Sequence, residues 1–337
     1  MIYPGFIRDN DIIGVTACSG GLSEEIDRIR TESAVEEFEK RHLRIKKTEN
    51  VHTDVLGRSS DGRTRAGELT ELAENPEIKA VIIAKGGDYL AEMLPFLDYD
   101  MFSANPKWYQ GYSDPTGLLF GITTKCDIAT LYSSNFAEFS MKPWHESLEN
   151  NIRILKGESL VQTSFDHYQD GFTDHVTGTE TYRKDMPVCW TGLRGEKDLT
   201  MKGRMIGGCL DVLLKLVGTP FEDVKGFVKK YKPDGIIWYM ESFATDGENL
   251  TIDLWHLRQA GWFEGASGFV FGRPCFYKSF SGITYEEAVR NALGDMNVPI
   301  ITGADVGHKK PSITIINGAV GEITLKDGKA RISMKLV

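Results

Sequence analysis

Short apolar runs rich in β-branched residues alternate with amphipathic stretches through the first half of the chain: IIGVTAC, EEIDRIRTESAVEEFEKR, LRIKK, RTRAGELTELAENP and KAVIIAKGG. A brief apolar run bounded by turn residues suits a buried strand, and apolar positions three or four apart suit a helix lying over it. Strand, helix, strand, helix, strand is the pattern of a parallel sheet covered by helices. The same texture continues through YLAEMLPFL, KWYQGYS, PTGLLFGITT and IATLYSS, and a helix is expected around SLENNIRILKG. Residues 1–158 therefore read as an α/β domain of the flavodoxin-like kind.

Over residues 159–204 the pattern becomes polar, aromatic and threonine-rich, as in TSFDHYQDGFTDHVTGTETYRK, with no helical period. This predicts a connecting segment with short antiparallel strands. Alternation returns in GGCLDVLLKLVGTP, GIIWYMES, IDLWHLRQAGWF, ASGFVFGRP and TYEEAVRNALGD, so residues 205–337 are expected to form a second domain, mixed α/β or β-rich. It closes with ITIINGAVGEITLKDGKARISM, whose N-G and D-G pairs signal turns and a hairpin.

A length of 337 residues favours two lobes over one core. With 41% hydrophobic and 26% charged residues, the composition is that of a folded protein. A net charge of -9 supplies no field for a polyanion, which excludes nucleic-acid polymers as partners while leaving room for a small nucleotide in a pocket. No run approaches the ~20 apolar residues that cross a bilayer, and the first residues lack a secretory pattern, so a cytoplasmic protein with no membrane partner is expected. The five cysteines, Cys18, Cys126, Cys189, Cys209 and Cys275, are scattered, odd in number and never paired as C-x-x-C. Reduced thiols are expected, with neither a disulfide framework nor a thiolate metal site.

The sharpest chemical feature is KWYQGYSDPTGLLFG, where an apparent strand meets Gly111, Tyr112, Ser113 and Asp114, and Pro115 opens a helix. Ser113 then lies on a strand-to-helix turn beside free N-H groups, and the N-H of Asp114 can face an oxyanion. The plainer alternative is a Ser-Asp helix cap. A serine hydroxyl needs a base, and of the seven histidines His308 is the best placed, in the loop GADVGHKKP after an apolar strand. His42 and His256 fall in helical patterns; His52, His145, His167 and His175 lie in polar segments. The base needs an acid in turn: Glu241 ends the run GIIWYM, and Asp305, three residues before His308, competes for the role. Gly86 and Gly87, following AVIIAK, lack the nucleotide fingerprints but allow a backbone N-H to approach a substrate oxygen as a second oxyanion donor.

Taken in order, DNDIIGVTACSGG, DGRTRAGELTELAENPEIKAVIIAKGG, GYSDPTGL, GRMIGGCLDVLLKLVGTP, WYMES and GADVGHKKP resemble the L,D-carboxypeptidase family of serine peptidases. That family includes muropeptide carboxypeptidases and the microcin C immunity peptidases. The resemblance implies a triad of Ser113, Glu241 and His308, oxyanion donors at Asp114 and one of Gly86 and Gly87, a homodimer, and neither metal nor cofactor. Two departures stand out: Lys85-Gly86-Gly87-Asp88-Tyr89 where many members have R-G-G-Y-G, and Cys209 where an Asn often follows I-G-G. The aromatic insert PVCWTGLRGEK is closer to the microcin-immunity branch, whose substrates join an aminoacyl group to a nucleotide-like moiety. In that branch a tryptophan stacks on the base, and Trp190 matches it, with a core tryptophan as the alternative. The expected activity is thus a serine carboxypeptidase or amidase acting on a small peptide or aminoacyl-nucleotide. Trimming of murein tetrapeptides and a non-catalytic ligand-binding role are the alternatives.

Overall fold

Four largely apolar runs and the polar edge run RIKK form parallel strands: β1 (Ile12–Thr16), β2 (Arg44–Lys47), β3 (Ile78–Ile83), β4 (Trp108–Gly111) and β5 (Thr130–Tyr132). The computed structural model describes residues 1–337. These strands are hydrogen-bonded in the order β5-β4-β3-β1-β2, every pair parallel. That is the flavodoxin-like order, in which ligands bind beyond the C-terminal strand ends where the order reverses, here between β1 and β3. The helices α1 (Glu25–Glu39), α2 (Gly62–Glu74), α3 (Tyr99–Ala104), α4 (Thr116–Cys126) and α5 (Glu146–Leu155) connect and cover the sheet. Burial on both faces explains why Ile13, Val15, Val81 and Ile82 are wholly inaccessible and why the runs show no polar alternation.

The second sheet has parallel strands at its centre and antiparallel strands at both sides. Its elements are β6 (Val161–Thr163), β9 (Thr191–Gly192), β10 (Asp198–Cys209), β11 (Ile236–Glu241), β12 (Ala266–Gly272), β13 (Ile300–Ala304), β15 (Val320–Lys326) and β16 (Lys329–Lys335). The order is β6-β16-β15-β10-β11-β12-β13-β9, with β10 to β13 mutually parallel. Helices α6 (Leu210–Leu216), α7 (Val224–Tyr231), α8 (Gly247–Gln259) and α9 (Tyr285–Leu293) make the crossovers. A ribbon of β7 (His167–Tyr168) and β8 (Met186–Pro187) and the short β14 (Ile315–Asn317) complete the strands. Asp327 and Gly328, at φ 46° and 83°, form the two-residue hairpin between β15 and β16 that the D-G pair predicts.

The chain divides into two compact units, Met1–Ser159 with Thr173–Tyr182, and Leu160–Phe172 with Arg183–Val337. The polar stretch 159–204 thus contributes to both. In the first unit the returning segment is held by the Lys142 N-H, which donates to the Thr179 carbonyl at 3.0 Å, and by the Tyr182 ring against His145, centroids 5.4 Å apart. No helix is long and apolar enough to cross a membrane.

Candidate active site

In the first unit the chain reverses direction directly after β4, and Ser113 adopts φ 68°. A left-handed serine costs of order 1–3 kcal/mol of local strain, so the surroundings must enforce it. Asn135 does so from the next loop, its Oδ1 accepting from the Tyr112 N-H at 3.2 Å and its Nδ2 donating to the Tyr112 carbonyl at 3.4 Å. Beyond the turn, the Thr116 and Gly117 N-H groups donate to the carbonyls of Ser113 and Asp114 at 2.9 and 3.1 Å and begin α4, with Pro115 at its cap. A strained serine between a strand and a helix has the geometry of a nucleophile elbow.

The neighbouring strand end leaves no room for side chains. A Cβ on Gly86 would lie 3.2 Å from the Ser113 Oγ, and one on Gly87, at φ 152°, would lie 2.4 Å from the Ser19 Oγ. The Asp114 carboxylate is buried and accepts from the Ser19 hydroxyl at 2.5 Å and from the Leu90 N-H at 2.8 Å. It therefore ties the loops after β1 and β3 to the serine turn, a role for its side chain that capping propensity alone does not reveal.

In the second unit β11 ends on Glu241, fully buried, and the loop after β13 carries His308, 6% exposed. The His308 Nδ1 lies 2.9 Å from the Glu241 Oε2. An ionised carboxylate only accepts, so Nδ1 carries the proton and Nε2 is left as the basic nitrogen. Gly307 makes this approach possible: at φ 102°, a Cβ there would come within 2.6 Å of the Glu241 carboxyl carbon. The Phe243 ring packs on the imidazole, with centroids 4.6 Å apart. Burial, with Glu241 and Asp211 nearby, pushes the Cys209 thiol well above its ordinary range, so it remains a neutral, inert thiol.

Asp305, the competing acid, is committed elsewhere. Its Oδ1 accepts from the Arg273 Nη1 at 2.7 Å, and its Oδ2 accepts from the Trp190 Nε1 at 2.9 Å and the Phe165 N-H at 3.1 Å. Burial raises its carboxyl pKa, and Arg273 opposes the rise. The same guanidinium donates to the carbonyls of Gly303 at 3.2 Å and Lys309 at 3.0 Å, which fixes both ends of the His308 loop. Trp190 is 1% exposed, which corrects its expected role: it is a core residue and offers no free face to a base. Its polar surroundings in sequence conceal a buried ring just before the short edge strand β9, with its indole N-H satisfied by Asp305.

Sequence reasoning missed Arg273, Gly307, Phe243 and Asp211. Arg273 had a usable signal, since it follows the apolar run FVFG in the way Glu241 follows IIWYM. The others acquire their roles through contacts that no local pattern encodes.

The chain matches the family models described as the LD-carboxypeptidase N-terminal domain over residues 13–133 and the LD-carboxypeptidase C-terminal domain over residues 202–323. It belongs to the LD-carboxypeptidase family. Among curated relatives of this family, the microcin C7 self-immunity protein MccF of Escherichia coli is 27% identical over 281 residues, covering 77% of this chain and 74% of that protein. A Bacillus subtilis protein named "Probable murein peptide carboxypeptidase" is 23% identical over 324 residues, covering 94% and 89%. The solved structure of MccF in complex with glutamyl sulfamoyl guanosine superposes with a TM-score of 0.83 at 23% identity, covering 99% of this chain and 98% of that one. This likeness shows a shared two-domain LD-carboxypeptidase fold.

Proposed function

We propose that this chain is a serine carboxypeptidase or amidase in which Ser113 is the nucleophile, His308 the general base and Glu241 the acid that orients it. The observation that carries this reading is the buried Glu241–His308 pair, whose 2.9 Å bond leaves Nε2 as the basic nitrogen. The strained turn at Ser113 and the family's identity as carboxypeptidases support it. Nε2 accepts the Ser113 proton as Oγ attacks the amide carbonyl, and the imidazolium returns that proton to the leaving nitrogen as the C-N bond breaks. Water then hydrolyses the ester, with His308 again acting as base. The N-H of Asp114 and that of Gly86 or Gly87 are the proposed oxyanion donors.

For substrate we propose a small peptide or aminoacyl-nucleotide. With Trp190 buried, the exposed rings of the second unit include a cluster of Phe172 and Phe276, 47% and 49% exposed, their ring centroids 5.6 Å apart. Phe276 also contacts Phe243, which itself packs on His308. An aromatic surface linked in this way to the base suits a substrate whose leaving portion carries a flat or apolar group. Murein peptides are the second reading, favoured by the Bacillus relative and by the family's own description.

Hydrolysis of an aminoacyl sulfamoyl adenosine and of a murein tetrapeptide by the wild type and by Ser113→Ala tests both points. Ser113→Ala should retain its fold and lose activity by about 10⁴-fold or more. Turnover near wild type in a folded Ser113→Ala protein would refute the mechanism, and cleavage of the tetrapeptide alone would select the murein reading.

A further inference from the structure

We propose that Asp211 is a positioning residue for the general base and acts through Phe243; this rests on the catalytic roles proposed for Glu241 and His308. Asp211 is the second residue of α6, just beyond β10, whose last residue Cys209 is the register partner of Glu241. Once the chain passes Glu241 it leaves the sheet, and the next N-H groups need other acceptors. Asp211 supplies them: its Oδ2 accepts from the Phe243 N-H at 2.9 Å and its Oδ1 from the Ala244 N-H at 3.0 Å. One carboxylate spanning two consecutive N-H groups fixes both the place and the tilt of that peptide, and its charge strengthens both bonds.

The opposite side of the segment is held as well. The Cys275 N-H donates to the Ser242 carbonyl at 3.0 Å, and the Phe276 N-H donates to the Phe243 carbonyl at 2.8 Å. Held from both sides, Phe243 presents its ring to the imidazole at 4.6 Å with an interplanar angle of 44°. Glu241 fixes one edge of His308 and Phe243 covers a face, so the direction of Nε2 depends on both contacts. Without Asp211 two N-H groups lose their acceptors, the segment shifts toward water, and the imidazole gains freedom to tilt while its bond to Glu241 persists. The cost should fall on the chemical step, because an imidazole misaligned in the transition state slows proton transfer without removing a substrate contact.

Asp211→Ala, Asp211→Asn, Phe243→Ala and the double variant Asp211→Ala/Phe243→Ala, assayed on an amide substrate with thermal melts of each, test this. Asp211→Ala should lower kcat by about tenfold with KM nearly unchanged, a size typical of coupling between contacting residues. Asp211→Asn, which keeps one carbonyl acceptor, should recover part of that loss. In the Phe243→Ala background the further loss on removing Asp211 should nearly vanish, because both substitutions break the same chain of contacts. Wild-type kcat in Asp211→Ala, a change confined to KM, or full additivity in the double variant would each overturn the inference. Should Asp211→Ala fail to fold, wild-type kcat in a folded Asp211→Asn protein would do so. Activity surviving in Ser113→Ala removes the catalytic reading itself; an inactive Ser113→Ala beside a fully active Asp211→Ala removes Asp211 alone.

Discussion

Glu241 and Asp305 show how two buried carboxylates a short distance along the fold acquire different work from their partners. Glu241 meets an imidazole, whereas Asp305 meets a guanidinium, an indole N-H and a backbone N-H. Glu241→Gln should therefore fold normally and lose on the order of 10³–10⁴-fold in kcat, because the amide no longer enforces the imidazole tautomer. Asp305→Asn strands the Arg273 charge in the interior, and breaking a buried pair costs about 3–5 kcal/mol, so its melting temperature should fall by roughly 5–10 °C. A larger kcat loss in Asp305→Asn, with both proteins folded at the assay temperature, would reverse the assignment. Asp253 offers a test by pH. Burial first, and the charge of Asp211 second, raise its carboxyl from 3.8 to about 6. The folded state thus holds a proton that the unfolded chain has released between those values, so stability from this group falls as pH rises through the window and the penalty is complete above it. Asp253→Asn should raise the melting temperature at pH 7.5 and leave it nearly unchanged at pH 4; an equal gain at both would show that ionisation of Asp253 is not the source of the penalty.

At the scale of elements, the residues of the proposed mechanism lie at or just beyond the C-terminal ends of parallel strands in each unit. Ser113 follows β4 and Gly86 follows β3, while Glu241 ends β11 and His308 follows β13. Parallel strands end together, so their loops converge, and each loop can be short and rigid because its strand is anchored by a ladder on both sides. The loop after β13 depends on one backbone position in particular. Gly307→Ala places a methyl group 2.6 Å from the Glu241 carboxyl carbon at a φ that L side chains rarely adopt. It should lower kcat by tenfold or more while costing only about 1–3 kcal/mol of stability. Kinetics at 25 °C with a parallel thermal melt would check both numbers. The aromatic surface belongs to this scale as well: Phe172→Ala should weaken kcat/KM on a base-bearing substrate by roughly tenfold to a hundredfold and leave a murein peptide nearly unaffected, as a stacked base is worth ~1–3 kcal/mol. Equal losses on both substrates would remove the stacking role.

For the molecule as a whole, the first unit is discontinuous in sequence, because Thr173–Tyr182 returns to it after the second unit has begun. A fragment ending at residue 159 lacks the Thr179 and Tyr182 contacts, and should melt at a lower temperature than a fragment ending at residue 182. Equal melting temperatures would show that the returning segment adds nothing to the unit. The homodimer implied by the resemblance is checked by sedimentation of the full chain at micromolar concentration, where a mass twice that of the 37.7 kDa chain is expected.

Much of the protein is set locally along its sequence. The apolar runs specify the inner strands of a flavodoxin-like sheet, because a strand buried on both faces must be apolar throughout, and the D-G pair specifies the β15–β16 hairpin, because its two residues tolerate positive φ. The ordered motifs likewise carry the LD-carboxypeptidase family, and with it the elements bearing Ser113, Glu241 and His308. Only the tertiary structure decided among residues of equal local promise. Trp190 and Asp305 satisfy each other inside the second unit, which leaves Glu241 as the carboxylate at the imidazole and Phe172 and Phe276 as exposed rings linked to it through Phe243. A single sequence records which residues are able to bond or stack, whereas the choice of partner depends on which side chains the folded chain brings within about 3 Å after excluding water.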